Sequence, residues 1–382
     1  MICIENANVV LENGILWDGV VLVENDRIVA VGPRAEVEIP DDAQRVDAKG
    51  AYVGPGFVDL HNHGGNNVLF ADDPEKAAAH FLAHGETTIL ATLYINFTTE
   101  GYIAAMDRIE DAMKNGKAGK AIGGIYMEGP YMNAYYGSMG GKNQWKDAID
   151  ADAYVHVVDR GGNLVKVWAI APEREGIEPF MAYAKSVNPD VVFSVGHSEA
   201  SPQQIRKLKL YGIKMQTHCM NATGRRDQSF GFHGTGPDEY CLANTDMYAE
   251  MICDSMAIHV NADLQRLILQ AKGMDKIVLI SDSNVGDGSV STTVTQAPDL
   301  SFDEEGLLSG SLLTMDAVCK NIMTHTNCGI AQAFLMASRN PARVIGMDHE
   351  IGTIEIGKKA NLVFVDHMFH VEKVMLNGEF AI

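Results

Sequence analysis

The sequence has no apolar run long enough to cross a bilayer, no Cys-x-x-Cys pair, no internal repeat, and too few basic residues to balance its acids. Each shortage excludes a class of function. A membrane-spanning helix needs about 20 consecutive apolar residues, and the start Met1-Ile2-Cys3-Ile4-Glu5-Asn6 lacks the basic and apolar regions of a secretory signal. The expectation is a cytoplasmic protein with no membrane segment. Its six cysteines, Cys3, Cys219, Cys241, Cys253, Cys319 and Cys328, are scattered. That spacing fits neither a disulfide framework nor a zinc ribbon, and they read as reduced thiols. Fifty acidic residues against 30 basic ones give a net charge of -20, which repels nucleic acid and anionic membranes. A small phosphorylated substrate stays compatible, because a pocket needs only a cation or two and some backbone N–H groups.

What is present is ordinary for a folded chain: 382 residues, 46% of them hydrophobic, with a mean hydropathy of -0.05. That length suits one barrel with a smaller accessory module, or two to three generic domains. Residues 1–50 alternate apolar stretches such as Val20-Val21-Leu22-Val23 with turn signals at Glu12-Asn13-Gly14 and Glu24-Asn25-Asp26. This is the rhythm of short antiparallel strands. The end of the chain repeats it in the strand-like stretches Gly352-Thr353-Ile354-Glu355-Ile356, Asn361-Leu362-Val363-Phe364-Val365 and Glu372-Lys373-Val374-Met375-Leu376. The two ends, residues 1–52 and 346–382, are expected to pair into one small β-sandwich domain.

Between them, in residues 53–345, short continuous apolar runs alternate with helical segments, as buried parallel strands joined by crossover helices do. Eight such runs are visible: 56–63, 87–94, 124–131, 164–171, 191–197, 214–221, 248–253 and 276–282. Ser201-Pro202 and Asn261 open two of the intervening helices. Eight units predict an α/β fold, a (β/α)8 TIM-like barrel, although a doubly wound open sheet alternates in the same way. The chemistry at the run ends decides between them.

In Asp59-Leu60-His61-Asn62-His63 the period of two puts both imidazoles on one face of a strand end. A lone histidine is more often a satisfied polar residue, but His-x-His closing a buried strand points to metal ligation; Asp59 beside it reads as a supporting group. Glu128 ends the third run, where a carboxylate needs a cation or hydrogen bonds to offset burial. Taken alone it could equally be a salt-bridged or capping residue. His197 ends the fifth run, His218 sits in the sixth and Asp282 ends the eighth. Catalytic groups of a barrel come from the C-terminal ends of different strands, and these six residues meet that condition. His80, His84, His156, His325, His349, His367 and His370 do not.

These residues resemble the N-acetylglucosamine-6-phosphate deacetylases of the amidohydrolase superfamily. The similarity runs through Pro55-Gly56-Phe57-Val58-Asp59, Glu128-Gly129-Pro130, Gly196-His197-Ser198, Thr217-His218, Asn221-Ala222, Ser281-Asp282, Leu308-Ser309-Gly310-Ser311 and Asn340-Pro341-Ala342. The resemblance implies a metal-dependent amide hydrolase acting on an N-acetylated amino sugar 6-phosphate. It implies that Glu128, His197 and His218 hold a principal divalent metal, zinc or iron, and that His61 and His63 join Glu128 in a second site, giving one or two ions per subunit. Asp282 matches the catalytic proton shuttle. Asn221, Ala222 and His259 match positions that contact the sugar and its phosphate, with Arg225 and Arg226 as the nearby cations, and a homodimer is expected. Two segments depart from the family pattern. The family's Lys-Gly-x-His after Glu-Gly-Pro is replaced by Ala134-Tyr135-Tyr136-Gly137-Ser138, and the two arginines stand close to Asn221. Other amidohydrolase activities, on another N-acyl group, a cyclic amide or an amine to be deaminated, form the alternative, and a non-catalytic scaffold is a further one. Many cyclic-amide hydrolases carry a modified lysine on the fourth strand, where Lys166 lies early in its run.

Overall fold

The computed structural model describes residues 1–138, 143, 145–225, 231, 234–286, 298–303 and 305–382. The chain starts with a meander of strands β1 (Ile2–Leu11), β2 (Gly14–Glu24) and β3 (Arg27–Pro33), followed by β4 (Gln44–Asp47) and β5 (Tyr52–Pro55), both parallel to β1. Asn25 makes the second turn in the left-handed region, φ 54°, a conformation asparagine tolerates better than most residues.

The barrel then begins with β6 (Phe57–Asn62), which leads into a two-residue ribbon, β7 (Gly64–Gly65) and β8 (Val68–Leu69). It continues as β9 (Glu86–Leu93), β10 (Ile122–Glu128), β11 (Val165–Ile170), β12 (Val192–Val195), β13 (Ile213–Gln216), β14 (Tyr248–Ile252) and β15 (Ile277–Ile280). Neighbours in sequence are parallel neighbours in space throughout, so the eight runs seen in the sequence are the eight barrel strands. All eight residues of β9 are buried, which is why such a strand reads as one apolar run without alternation. Helices cover the outside, one after each strand. Two start on the predicted caps: Ser201 forms a reciprocal capping box with Gln204, and Asn261 accepts from Asp263 N–H.

The first and last strands meet at a polar seam. Asp282 N–H donates to His61 O at 2.9 Å and His63 N–H to Ser283 O at 2.8 Å. Asp59 spans the same seam, accepting from Ser281 Oγ at 2.5 Å. Beyond it, a hairpin of β16 (Leu300–Phe302) and β17 (Leu308–Ser311) lies over the barrel mouth.

The chain finally returns to its start. Strand β18 (Leu362–Val365) pairs antiparallel with β5, and β19 (Val371–Leu376) and β20 (Glu379–Phe380) extend the sheet. Ile4, Val21, Ile28, Val53, Leu362, Phe364 and Met375 share one buried cluster, so the two ends enclose a common core. One strand-like stretch is not a strand. Residues 352–356 form bends leading into a turn: Glu355 O accepts from Lys358 N–H at 3.2 Å, and Thr353, Glu355 and Lys358 bond to one another through their side chains. Among the described residues no helix is long and apolar enough to cross a membrane. Buried Arg339 ties the terminal sheet to the barrel through Glu12 at 2.9 Å and an ion pair with Asp275.

The shared core predicts the effect of Phe364→Ala. Removing this fully buried ring should destabilise the protein by about 3–5 kcal/mol, read as a lower urea midpoint, although Phe364 lies far from the barrel mouth. A midpoint unchanged within error would mean that the two ends do not enclose one core.

Candidate active site

The six strand-end residues reach the mouth through local backbone turns. His197, His218 and Asp282 each stand two residues beyond a barrel strand, with φ of 46°, 27° and 46°. That left-handed conformation costs an ordinary residue on the order of 1–2 kcal/mol. Here it bends each chain end so that the side chain faces the barrel axis. All six residues are more than nine-tenths buried.

Their polar atoms converge on Glu128. Oε1 lies 2.8 Å from His197 Nε2 and 3.2 Å from His218 Nε2. Oε2 lies 3.0 Å from His63 Nε2 and 3.4 Å from His61 Nε2. Asp282 Oδ1 completes the group at 3.5 Å from His63 Nε2 and 3.7 Å from His61 Nε2. One carboxylate therefore faces two pairs of imidazoles, one pair per oxygen.

The opposite ring nitrogens show what the inner ones can do. His197 Nδ1 is 3.0 Å from Tyr136 O, and His218 Nδ1 is 3.2 Å from Asn221 O. A carbonyl can only accept, so Nδ1 carries the proton and the Nε2 lone pair points inward. His61 Nδ1 is held in the same manner by Glu250 Oε2 at 3.3 Å. His61 Nε2 is buried with no hydrogen-bond partner. The pairs His61/His63 and His197/His218, each with Glu128, bring ligand atoms within 4.8 Å of one another. Inward lone pairs around a bridging carboxylate fit a divalent ion, or two that share Glu128.

Electrostatics agree with that fit. Burial opposes ionisation of Glu128, yet His61, His197 and His218, when protonated at Nε2, outweigh it and hold the carboxyl well below its usual range. Burial likewise works against a charged His61, but Glu128 and Asp282 raise its pKa well above normal. Asp282, destabilised by burial, is pulled low by His61 and His63. The cluster thus attracts positive charge at its centre, and protons compete with a metal for the same lone pairs.

A cavity of about 250 Å³ opens above these groups. Ala222 and His259 line it, as does Asn221, whose Nδ2 also donates to His259 O at 3.3 Å. His259 Nδ1 lies 3.1 Å from Asp254 Oδ2, and its Nε2 is buried without a partner. Arg225 is not brought to the cavity; it pairs with Glu239 at 2.6 Å. Arg226 lies outside the described residues. Among the described lining residues there is no Lys or Arg.

Residues 52–381 match the model of the amidohydrolase family. The chain belongs to the amidohydrolase family. Members of this family depend on metal, in keeping with the buried histidines and glutamate of this member. The N-acetylgalactosamine-6-phosphate deacetylase of Escherichia coli O157:H7 is 28% identical to it, over 97% of this chain and 96% of that protein. The crystal structure of N-acetylglucosamine-6-phosphate deacetylase from Pasteurella multocida superposes with a TM-score of 0.86 at 25% identity, covering 99% of both chains. A Mycobacterium smegmatis N-acetyl-D-glucosamine-6-phosphate deacetylase mutant, solved in complex with N-acetyl-D-glucosamine-6-phosphate, gives 0.82 at 28% identity, covering 99% of this chain and 98% of that one.

Two features of this amidohydrolase site were not anticipated from its sequence. Glu250, fully buried on β14, accepts from His218 N–H at 3.2 Å besides facing His61; a glutamate inside the apolar run Tyr248–Cys253 was the available signal. The carbonyl of Tyr136, which orients His197, left none, because any residue offers one.

If Glu128 bridges both ligand pairs, Glu128→Gln should strip metal and activity together, whereas His61→Ala should lose at most one equivalent. Elemental analysis of the purified variants checks this, and a fully metal-loaded Glu128→Gln protein would contradict it.

Proposed function

We propose that this amidohydrolase removes the acetyl group from an N-acetylated amino sugar 6-phosphate, N-acetylglucosamine-6-phosphate or a close epimer, releasing acetate and the amino sugar phosphate. The convergence of four imidazoles on Glu128 beside Asp282 carries this reading, and the relatives named above supply the substrate class.

Glu128, His197 and His218 would hold the principal ion and His61 with His63 a second, zinc and iron being the metals such nitrogen and oxygen donors suit. When bound, the metal supplies Lewis acidity, polarising the amide carbonyl and acidifying water. The chain's own residues do the rest. Asp282, kept ionised by His61 and His63 against its burial, takes the proton from the attacking water and passes it to the departing amine nitrogen. His259, held by Asp254, turns its unpartnered Nε2 to a sugar hydroxyl or the phosphate. The Ala222 backbone N–H adds a neutral donor. The cavity's described lining has no cation, so the remaining phosphate donor is assigned to Arg226 or to an arginine of the second subunit of a homodimer. Arg225 would have to leave Glu239 to serve. The free, buried cysteines fit the reducing cytoplasm. That same lack of a lining cation favours one alternative, the same chemistry on an N-acyl compound without a phosphate.

Asp282→Asn keeps the shape of the side chain and removes its basicity. Its kcat should fall by about 10²-fold or more with metal content unchanged. Near-wild-type turnover in the metal-loaded variant would assign the base elsewhere. For the substrate, removing the 6-phosphate from N-acetylglucosamine or N-acetylgalactosamine should lower kcat/KM by at least about tenfold, the value of one charge-assisted hydrogen bond. Equal rates on the free and phosphorylated sugars would favour the alternative.

A further inference from the structure

The segment 133–138, which departs from the family's Lys-Gly-x-His pattern, lies with its backbone against a histidine of the site. Tyr136 O accepts from His197 Nδ1 at 3.0 Å. At Gly137, φ 87°, an added Cβ would stand 2.2 Å from the same nitrogen, so glycine lets the chain pass this close. The segment is tied at both ends. Asn133 N–H donates to His197 O at 2.9 Å, and Tyr94 Oη donates to Ser138 O at 2.8 Å.

The Tyr136 side chain reaches a different part of the mouth. Its hydroxyl donates to Glu199 Oε2 at 2.9 Å, and its phenol end covers Gly224, where an added Cβ would stand 1.9 Å from Oη and 2.3 Å from Cζ. Gly224 closes the turn 221–224, which lies beside the end of β12: Thr223 bridges to Ser198, and Gly224 N–H donates to Ser198 O at 3.0 Å. That turn carries Asn221 O, which accepts from His218 Nδ1 at 3.2 Å, and it presents Asn221 and Ala222 to the cavity. Tyr136 therefore supports His197 with its carbonyl and packs its ring on the turn that supports His218.

We propose that Tyr136 is a positioning residue that locks the 221–224 turn to His197, so that the two carbonyls fixing the Nδ1–H form of His197 and His218 hold or shift together. The inference rests on the reading of Glu128, His197 and His218 as the principal metal site. Groups that orient metal-ligating histidines commonly change metal affinity 10–100-fold when removed. Here the two orienting groups are backbone carbonyls, which no substitution removes, and the ring between them is the part that sequence can change.

The test is a double-mutant cycle on the zinc-loaded full-length protein, competed against a chelator and followed by elemental analysis. Gly224→Ala forces either the phenol off Glu199 or the turn off Ser198, and either movement displaces one Nδ1 acceptor. The most tightly held zinc equivalent should bind at least about tenfold more weakly. Tyr136→Ala should have an effect of similar size, and Tyr136→Phe, which keeps the ring on Gly224, a smaller one. With the ring gone nothing opposes the new methyl, so adding Gly224→Ala to Tyr136→Ala should change the affinity by less than about twofold. Visible absorption of the Co(II)-substituted proteins, which follows ligand geometry, should differ from wild type in both single variants, as a general loss of stability would not require. Effects that multiply in the double variant, or folded single variants with wild-type zinc affinity and Co(II) spectra, would overturn the coupling and leave the metal assignment standing. A wild-type protein that holds no zinc would overturn both. Should Gly224→Ala fail to fold, Tyr136→Ala decides, and wild-type zinc affinity in it would overturn the proposal.

Discussion

Burial of the Glu128 carboxylate at the barrel mouth is the constraint to which the rest of the structure answers. An ionised carboxylate withdrawn from water loses several kcal/mol of solvation, and Glu128 is 3% exposed. Four imidazoles offset that loss only if they are protonated or hold a cation between them and the carboxylate. Neutral imidazoles with inward lone pairs would leave the anion uncompensated. The carbonyls of Tyr136 and Asn221 nevertheless fix the Nδ1–H form of His197 and His218. That choice is unfavourable for an empty site and favourable for one holding a metal ion.

Presenting those lone pairs depends on where the first and last strands meet. His61 and His63 sit on one side of this seam and Asp282 on the other, so ligand and base are in register only if the seam is fixed. The fixing groups are two buried carboxyls that pair with no Lys or Arg among the described residues. Burial raises the Asp59 pKa to about 6 against hydrogen bonds from Ser281, and burial with Asp59 nearby pushes Glu86 well above its usual range. Asn62 Nδ2 donates to both, at 3.1 and 3.4 Å, and Glu86 Oε1 accepts from Met315 N–H at the start of the helix Met315–Thr326. A neutral acid keeps hydrogen-bonding capacity at far less desolvation cost than an anion. Glu86 can thus stay protonated in the barrel wall at neutral pH, whereas Asp59, with a pKa of about 6, is mostly ionised there and is held by donors from Ser281, His61 and Asn62.

This division explains what could be read from the chain. The barrel was legible because a strand covered on both faces must be apolar along its length, as β9 is. The strand-end histidines were legible because a polar residue closing such a run is conspicuous. Residues 352–356 looked like a strand on local pattern alone, but Glu355 O accepts from Lys358 N–H and Thr353 bonds to Lys358 through its side chain, so local bonds stand where a ladder was expected. Glu250 and the Tyr136 carbonyl act through contacts set by barrel closure, which no local spacing encodes. Arg225 looked available for phosphate until Glu239, 14 residues on, was found against it.

The same contrast separates chemistry from specificity. Glu128, the four histidines and Asp282 are placed by strands and by the turns that end them, whose hydrogen bonds run around the whole barrel. The cavity walls come instead from connections: the ribbon β7–β8, the hairpin β16–β17, and the turns that carry Asn221 and His259. A substitution in these connections can alter which group is bound without disturbing the carboxylate that the barrel holds. Net charge gives a phosphate no help in reaching this mouth, since the chain carries -20 overall. Whatever anion enters must be recognised by donors at short range, and those donors lie on the connections. Within one barrel, the reaction is therefore constrained more tightly than the substrate.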